Sequence, residues 1–164
     1  MEIRLYTDSY KEQVIQLILK IQMEEFGVTI SIKDQPDLQQ ICSFYQKGCG
    51  NFWVAIEGEK VVGTIALVDL GNQQTALRKM FVAQEYRGKE KGIAKALLQE
   101  LIGWCKCKNI CEIYLGTTAV FFAAHRFYEK NGFEEISKAL LPATFPIMKV
   151  DSKFYVYRFS DISD

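Results

Sequence analysis

Arg87, Gly88 and Gly92 fall within one short stretch, directly after the apolar strand end Met80-Phe81-Val82 and directly before the amphipathic run that opens Ile93-Ala94. A strand, a glycine-bearing loop and a helix start in that order leave backbone N–H groups without intrahelical acceptors, at the positive end of a helix dipole. Such a nest binds anions, phosphate above all. In this reading Arg87 supplies a charge-assisted contact. Gly88, Lys89, Glu90, Lys91, Gly92 and Ile93 supply main-chain N–H groups, with Ala94 in the first turn behind them. Glycines alone serve equally well in a solvated turn, where they only provide unusual backbone angles. A nucleotide cradle of the P-loop kind is the weaker alternative, because the loop lacks the Gly-Lys-Ser/Thr ending.

A second block carries a phenol: Ala124-His125-Arg126-Phe127-Tyr128-Glu129-Lys130-Asn131-Gly132-Phe133. With the first, and with a strand and a helix between, it resembles the GNAT superfamily of N-acetyltransferases. The loop is similar to the family's acyl-CoA pyrophosphate motif, Arg/Gln-x-x-Gly-x-Gly/Ala, and the second block to its closing helix, which carries a tyrosine and ends at Asn-Gly-Phe. The resemblance implies acetyl-CoA as cosubstrate and direct transfer to a primary amine, with no metal. It implies that Phe81 and Val82 offer main-chain groups to the pantetheine and thioester, and that Tyr128 lies at the cofactor sulfur and protonates the departing thiolate. It also allows a homodimer. Four residues separate Arg87 from Gly92, two more than usual, so Lys89 stands where a count back from the helix puts the arginine. Phe121 occupies a position that is often asparagine, and Thr75-Ala76-Leu77-Arg78-Lys79 holds no carboxylate where many members carry a glutamate base. These departures keep open an alternative class, a non-catalytic acyl-CoA sensor or scaffold.

A lysine-like amine, with a pKa near 10.4, is about one part in 2,500 neutral at pH 7 and needs a base; an α-amine near 8 does not. Glu24, Glu25 and Asp69 are the candidate bases, each equally readable as a solvated charge. His125, the single histidine, reads as a surface or packing residue. The spacing of Cys105, Cys107 and Cys111 matches no zinc pattern and points to plain thiols. Phe26, Phe121, Phe122, Phe145 and Met148 read as core, with one or two free to line an acceptor pocket near Leu140–Pro146. The acceptor stays open among small polyamine, amino acid, antibiotic and protein N-terminus.

The elements that must position these groups follow from periodicity. Met1–Tyr6 alternates as a strand, and Asp8 or Ser9 is placed to cap a helix with the stripe Val14, Leu17, Ile18 and Ile21. Asp34 to about Lys47 reads as one helix with Pro36 near its start. Phe52–Glu57 and Lys60–Leu70 form a hairpin through Gly58-Glu59, and Thr75–Val82 is a further strand. Gly92–Lys106 is a helix, Cys111–Leu115 a strand, Val120–Lys130 a helix stopped at Asn131-Gly132, and Ser152–Phe159 a last strand. The expected fold is a mixed α/β (α+β) single domain over 1–164, with a largely antiparallel central sheet and helices on both faces. By resemblance, two neighbouring parallel strands splay to admit the cofactor.

The totals bound the partners. Lys+Arg and Asp+Glu are both 20 in 164 residues. That balance argues against a general nucleic-acid binder, which needs excess cations. No apolar run approaches the roughly 20 residues of a membrane span, and the first residues do not read as a signal peptide. Five cysteines, an odd number, suit reduced thiols and a cytoplasmic location.

Overall fold

The computed structural model describes residues 1–26, 31–88, 90–119 and 122–160, the side chain of Phe26 excepted. Lys89 and Phe121 therefore lie outside the described residues, as does the side chain of Phe26. The elements run β1 (Glu2–Leu5), α1 (Lys11–Phe26), α2 (Pro36–Gln39), α3 (Ile41–Tyr45), β2 (Asn51–Glu57), β3 (Lys60–Gly71) and β4 (Gln74–Val82). They continue with α4 (Ile93–Cys107), β5 (Glu112–Thr117), α5 (Phe122–Lys130), β6 (Glu134–Ile136) and β7 (Lys153–Arg158). Seven strands form one sheet in the order β1-β2-β3-β4-β5-β7-β6. Every neighbouring pair is antiparallel except β4 and β5. The mixed, largely antiparallel sheet expected from the sequence is therefore the one observed.

Both faces are covered. Val14 and Ile18 of α1, with Leu38, Ile41 and Tyr45 of the short helices, bury one face against Phe52, Val54 and Ala66. Leu97, Leu98, Leu101 and Cys105 of α4, with Tyr128 of α5, bury the other against Trp53, Ile65, Leu67 and Ile113. The stripe on α4 repeats every three or four residues, the period that keeps one helical face on a sheet.

Two local expectations are corrected. Asp34–Lys47 is not one helix: a 3-10 turn over Ile32–Asp34 leads into α2 and α3, broken at Gln40 with φ −138° and ψ 54°. Helices this short have little stability of their own, so tertiary contacts set their path, and here Gln35 and Asp37 are drawn onto Lys79 of β4. Nor do Asp8 or Ser9 cap α1 from outside; both belong to a 3-10 turn, Asp8–Tyr10, that runs straight into it. The Asp8 carboxylate instead accepts from the Tyr6 hydroxyl at 3.1 Å.

Two irregularities open the sheet at its centre. On β4, Lys79 and Met80 together oppose Ile65, because Arg78 pairs with Ala66 and Phe81 with Thr64. Lys79 takes a positive φ of 54° there, and the Thr64 hydroxyl donates to its carbonyl at 2.7 Å. A bulge of this kind bends its strand. Next to it the β4–β5 ladder holds only Gln74–Ala76 against Glu112–Tyr114. Beyond that point the two strands diverge, leaving the β5-facing main chain of 77–82 without a strand partner among the described residues.

Candidate active site

The divergence of β4 and β5 opens a cleft of about 830 Å³. Leu77 to Val82 form one wall, Leu115 to Thr118 the other, and Ala124, Phe127 and Tyr128 of α5 close one side. Three features fit a thioester cofactor with a polyphosphate end. The divergent strands offer main-chain groups that have no strand partner among the described residues along the cleft. The hydroxyl of Thr118 is buried in its wall with no hydrogen-bond partner among the described residues. At the cleft's end, the first turn of α4 presents the amides of Ile93, Ala94 and Lys95 without an acceptor among the described residues, where the first intrahelical bond runs from Ala96 N–H to the Gly92 carbonyl.

The loop before α4 is built on its glycines. Gly88 has φ +124° and Gly92 +63°, and both the Lys91 and Gly92 amides donate to the Gly88 carbonyl at 3.2 Å. A residue with a Cβ is strained at either position, most severely at Gly88. Lys91 turns back, donating from Nζ to the Glu85 carbonyl at 3.0 Å and lying over the Tyr86 ring, while Glu90 is exposed. Arg87 lines the cleft while remaining exposed: Nε donates to the Val82 carbonyl at 2.8 Å, and Nη2 pairs with Glu25 of α1 at 2.6 Å. The loop, α4 and the end of β4 thus converge as the spacing predicts, with the arginine tied across to α1.

Tyr128 lies in the cleft wall, packed on Phe127, Phe133 and Tyr155. Its hydroxyl makes no hydrogen bond among the described residues, and burial pushes its pKa up. The group is therefore a protonated donor at neutral pH. His125 is buried in packing, as expected, where Nε2–H donates to the Thr118 carbonyl at 2.7 Å. That bond holds the Thr117–Thr118 strand end against α5.

The three carboxylates proposed as bases fall in different places. Asp69 receives the Cys49 and Gly71 amides at 3.1 and 2.8 Å and shapes a turn. Glu24 lines a separate surface groove beside Lys20 and Lys60. Glu25 does reach the cleft but is paired with Arg87. Sequence reasoning missed Asp151, a partly buried carboxylate in the cleft wall that accepts the Met148 amide at 3.0 Å. Burial raises its pKa, and the positive charge of Arg78 acts against that rise. Its one signal in the sequence is an acid just before the last strand, and nothing local says that it turns inward. Phe122 lines the cleft and is largely exposed, whereas Phe145 is buried with Phe154 away from it. Met148 stands exposed, its sulfur beside the Arg78 guanidinium.

Behind the bulge runs a buried polar chain that was also not foreseen. Lys79 Nζ lies 2.6 Å from Gln35 Oε1 and 3.4 Å from Asp37 Oδ2. Asp37 accepts from the Tyr45 hydroxyl, and Gln35 and Gln22 exchange a reciprocal amide pair. Desolvation lowers the Lys79 pKa to about 8, against the pull of Asp37. This chain clamps α1, α2 and α3 to the bulge and so fixes the floor of the cleft.

Known proteins share this arrangement. A crystal structure described as an acetyltransferase of the GNAT family from Staphylococcus aureus Mu50 superposes with a TM-score of 0.89 at 45% identity, covering 96% of this chain and 98% of that one. The PaiA N-acetyltransferase of Thermoplasma acidophilum, solved with coenzyme A, has the same fold at 19% identity, with a TM-score of 0.72 over 96% of this chain and 98% of that one. The N-acetylaspartate synthetase of Xenopus tropicalis is 42% identical over 104 residues, which are 61% of this chain and 37% of that protein. The chain thus spans well under two thirds of the length of the curated relatives it matches. The model of the acetyltransferase (GNAT) family matches residues 15–133, from α1 through the glycine loop to the end of the tyrosine helix. The chain belongs to the GNAT acetyltransferase family.

Proposed function

We propose that this chain transfers an acetyl group from acetyl-CoA to a primary amine by direct attack. The observation that carries the reading is the cleft between the divergent strands, with a glycine-shaped anion site at one end and in its wall a buried phenol that has no hydrogen-bond partner among the described residues. Bound acetyl-CoA supplies the acyl carbonyl and a thiolate leaving group. Ile93, Ala94 and Lys95 would hold the diphosphate through their amides, with the Gly88–Gly92 main chain around it. Arg87 reaches it by exchanging Glu25 for phosphate. The β5-facing main chain of β4 from Leu77 to Val82, past the end of the β5 ladder, binds the pantetheine arm and includes an N–H near Phe81 or Val82 that polarises the carbonyl. Thr118 Oγ1, without a hydrogen-bond partner among the described residues, faces the same space.

Tyr128 keeps its proton until a thiolate forms beside it. The apolar surroundings that raise the phenol's pKa also raise that of a thiolate in the same pocket, so the two stay matched. Asp151 is the carboxylate placed to accept the proton from the incoming ammonium. The name of the curated relatives makes a free amino acid one acceptor to try. The unpaired cysteines suit a reducing, cytoplasmic setting.

The test is calorimetric binding of acetyl-CoA followed by release of free CoA across pooled amines. Tyr128→Phe should keep the dissociation constant and lose about 10²–10⁴-fold in turnover, the usual contribution of a positioned acid. Equal turnover removes the tyrosine from the mechanism. Tight binding without CoA release for any amine leaves only an acyl-CoA-binding module.

A further inference from the structure

Five charged side chains line the cleft among the described residues: Glu25, Arg78, Lys79, Arg87 and Asp151. Three are already answered, Arg87 by Glu25 and Lys79 by Asp37. Arg78 and Asp151 remain. Neither forms an ion pair within 4 Å with any described residue, and they do not pair with each other. Yet both hold Met148, Arg78 Nη2 at 3.8 Å from its sulfur and Asp151 Oδ2 at 3.0 Å from its amide. They stand on opposite walls. Arg78 projects from β4 just before the bulge. Asp151 packs against Gly116 of β5 so closely that a Cβ there would lie 2.6 Å from its carboxylate. Both are partly buried and away from the glycine loop, at the end of the cleft left for the acceptor.

A cation and an anion held apart at partial burial, acting on each other through space but closed into no ion pair among the described residues, leave electrostatic energy unclaimed. A ligand that carries both charges can claim it. A polyamine or an aminoglycoside would bring more positive charge to Arg78, and a protein N-terminus has its carboxylate far away. Arg78 offers the planar fork that matches a carboxylate in bidentate fashion.

Resting on the acetyltransferase reading above, we propose that the acceptor is a free amino acid, its carboxylate on the Arg78 guanidinium and its ammonium on Asp151. The buried chain behind the bulge then has a purpose beyond folding. It consumes the charge of Lys79, so that Arg78 alone faces the ligand.

The experiment compares acceptors that differ only in the carboxylate. The standard L-amino acids, their α-amides and the matching alkylamines are assayed with the purified chain and acetyl-CoA, with free CoA as readout. At least one amino acid should be acetylated, and its amide at least tenfold less well in kcat/KM. Arg78→Gln should raise the acceptor KM about 10–100-fold, the loss of a charge-assisted pair, with the acetyl-CoA KM unchanged. Arg78→Lys, which keeps the charge without the fork, should fall between. Asp151→Asn should weaken the same acceptor. Calorimetric binding of the N-acetyl amino acid product should weaken in Arg78→Gln in parallel, a readout independent of turnover.

Amides or alkylamines turned over as well as the acids would overturn this proposal and leave the transferase reading standing. So would an Arg78→Gln enzyme with an unchanged acceptor KM. No CoA release with any amine would sink both.

Discussion

Lys79 shows how a single residue couples stability to the shape of the site. Its amine is buried and its pKa is lowered to about 8, chiefly by desolvation, with Arg78 adding repulsion and Asp37 opposing both. In the unfolded chain the same amine titrates near 10.5. Between those values the unfolded state holds the proton that the folded state has released, so stability should rise as pH increases from about 8 toward 10. Denaturant titrations at a series of pH values read that slope directly. Lys79→Met removes the titrating group and should flatten the slope. It also strands Asp37, and should destabilise the fold by about 3–5 kcal/mol, as breaking a buried pair does. Adding Asp37→Asn should recover most of that loss. A slope that survives Lys79→Met would assign the pH dependence to another group.

At the level of elements, the parts legible in the sequence are those whose signals are local. The α4 stripe, the Gly58-Glu59 hairpin, the Asn131-Gly132 stop and the glycines before α4 each announce themselves within a few residues, and the structure places them as read. The parts that were not legible depend on meetings between distant segments. The α2–α3 break follows from Gln35 and Asp37 reaching Lys79, the bulge from how β3 and β4 align, and Asp151 from a loop folding back on β5. Arg87 lies between these cases. Its position in the loop is readable, but its pairing with Glu25 requires α1 to end beside β4. That pair has a consequence for binding. If Arg87 must leave Glu25 to meet phosphate, the ion pair competes with the cofactor. Both side chains are a third or more exposed, at 42% and 34%, so the pair is worth at most about 1 kcal/mol. Glu25→Gln should therefore tighten acetyl-CoA binding by up to about fivefold, measured calorimetrically, while Arg87→Gln weakens it. Weaker binding in Glu25→Gln would mean that the carboxylate orients the arginine instead of restraining it.

Across the whole molecule the sheet is two antiparallel units, β1–β4 and β5–β7–β6, joined by a parallel ladder of only three residue pairs. The junction is weak because a strand that bends at a bulge cannot keep its neighbour, and the same bend provides the cleft. Anything seated there replaces missing strand pairing and links the two units. A ligand that binds only the folded state stabilises it by RT ln(1 + [L]/Kd), about 2.7 kcal/mol at a hundredfold excess over Kd. For a chain of this size, that corresponds to a rise in melting temperature of about 5–11 °C. Coenzyme A should produce it. ATP, which has the phosphates but no pantetheine to lie along β4, should produce much less at equal concentration. Amide hydrogen exchange places the effect: protection should grow at 77–82 and 115–117, on the two facing strand ends, and at the first turn of α4, with little change in β1 and β2. An equal rise with ATP would put the binding energy in the loop alone. Protection confined to α4 would say the same, and the divergent strands would then be an opening that the cofactor does not use.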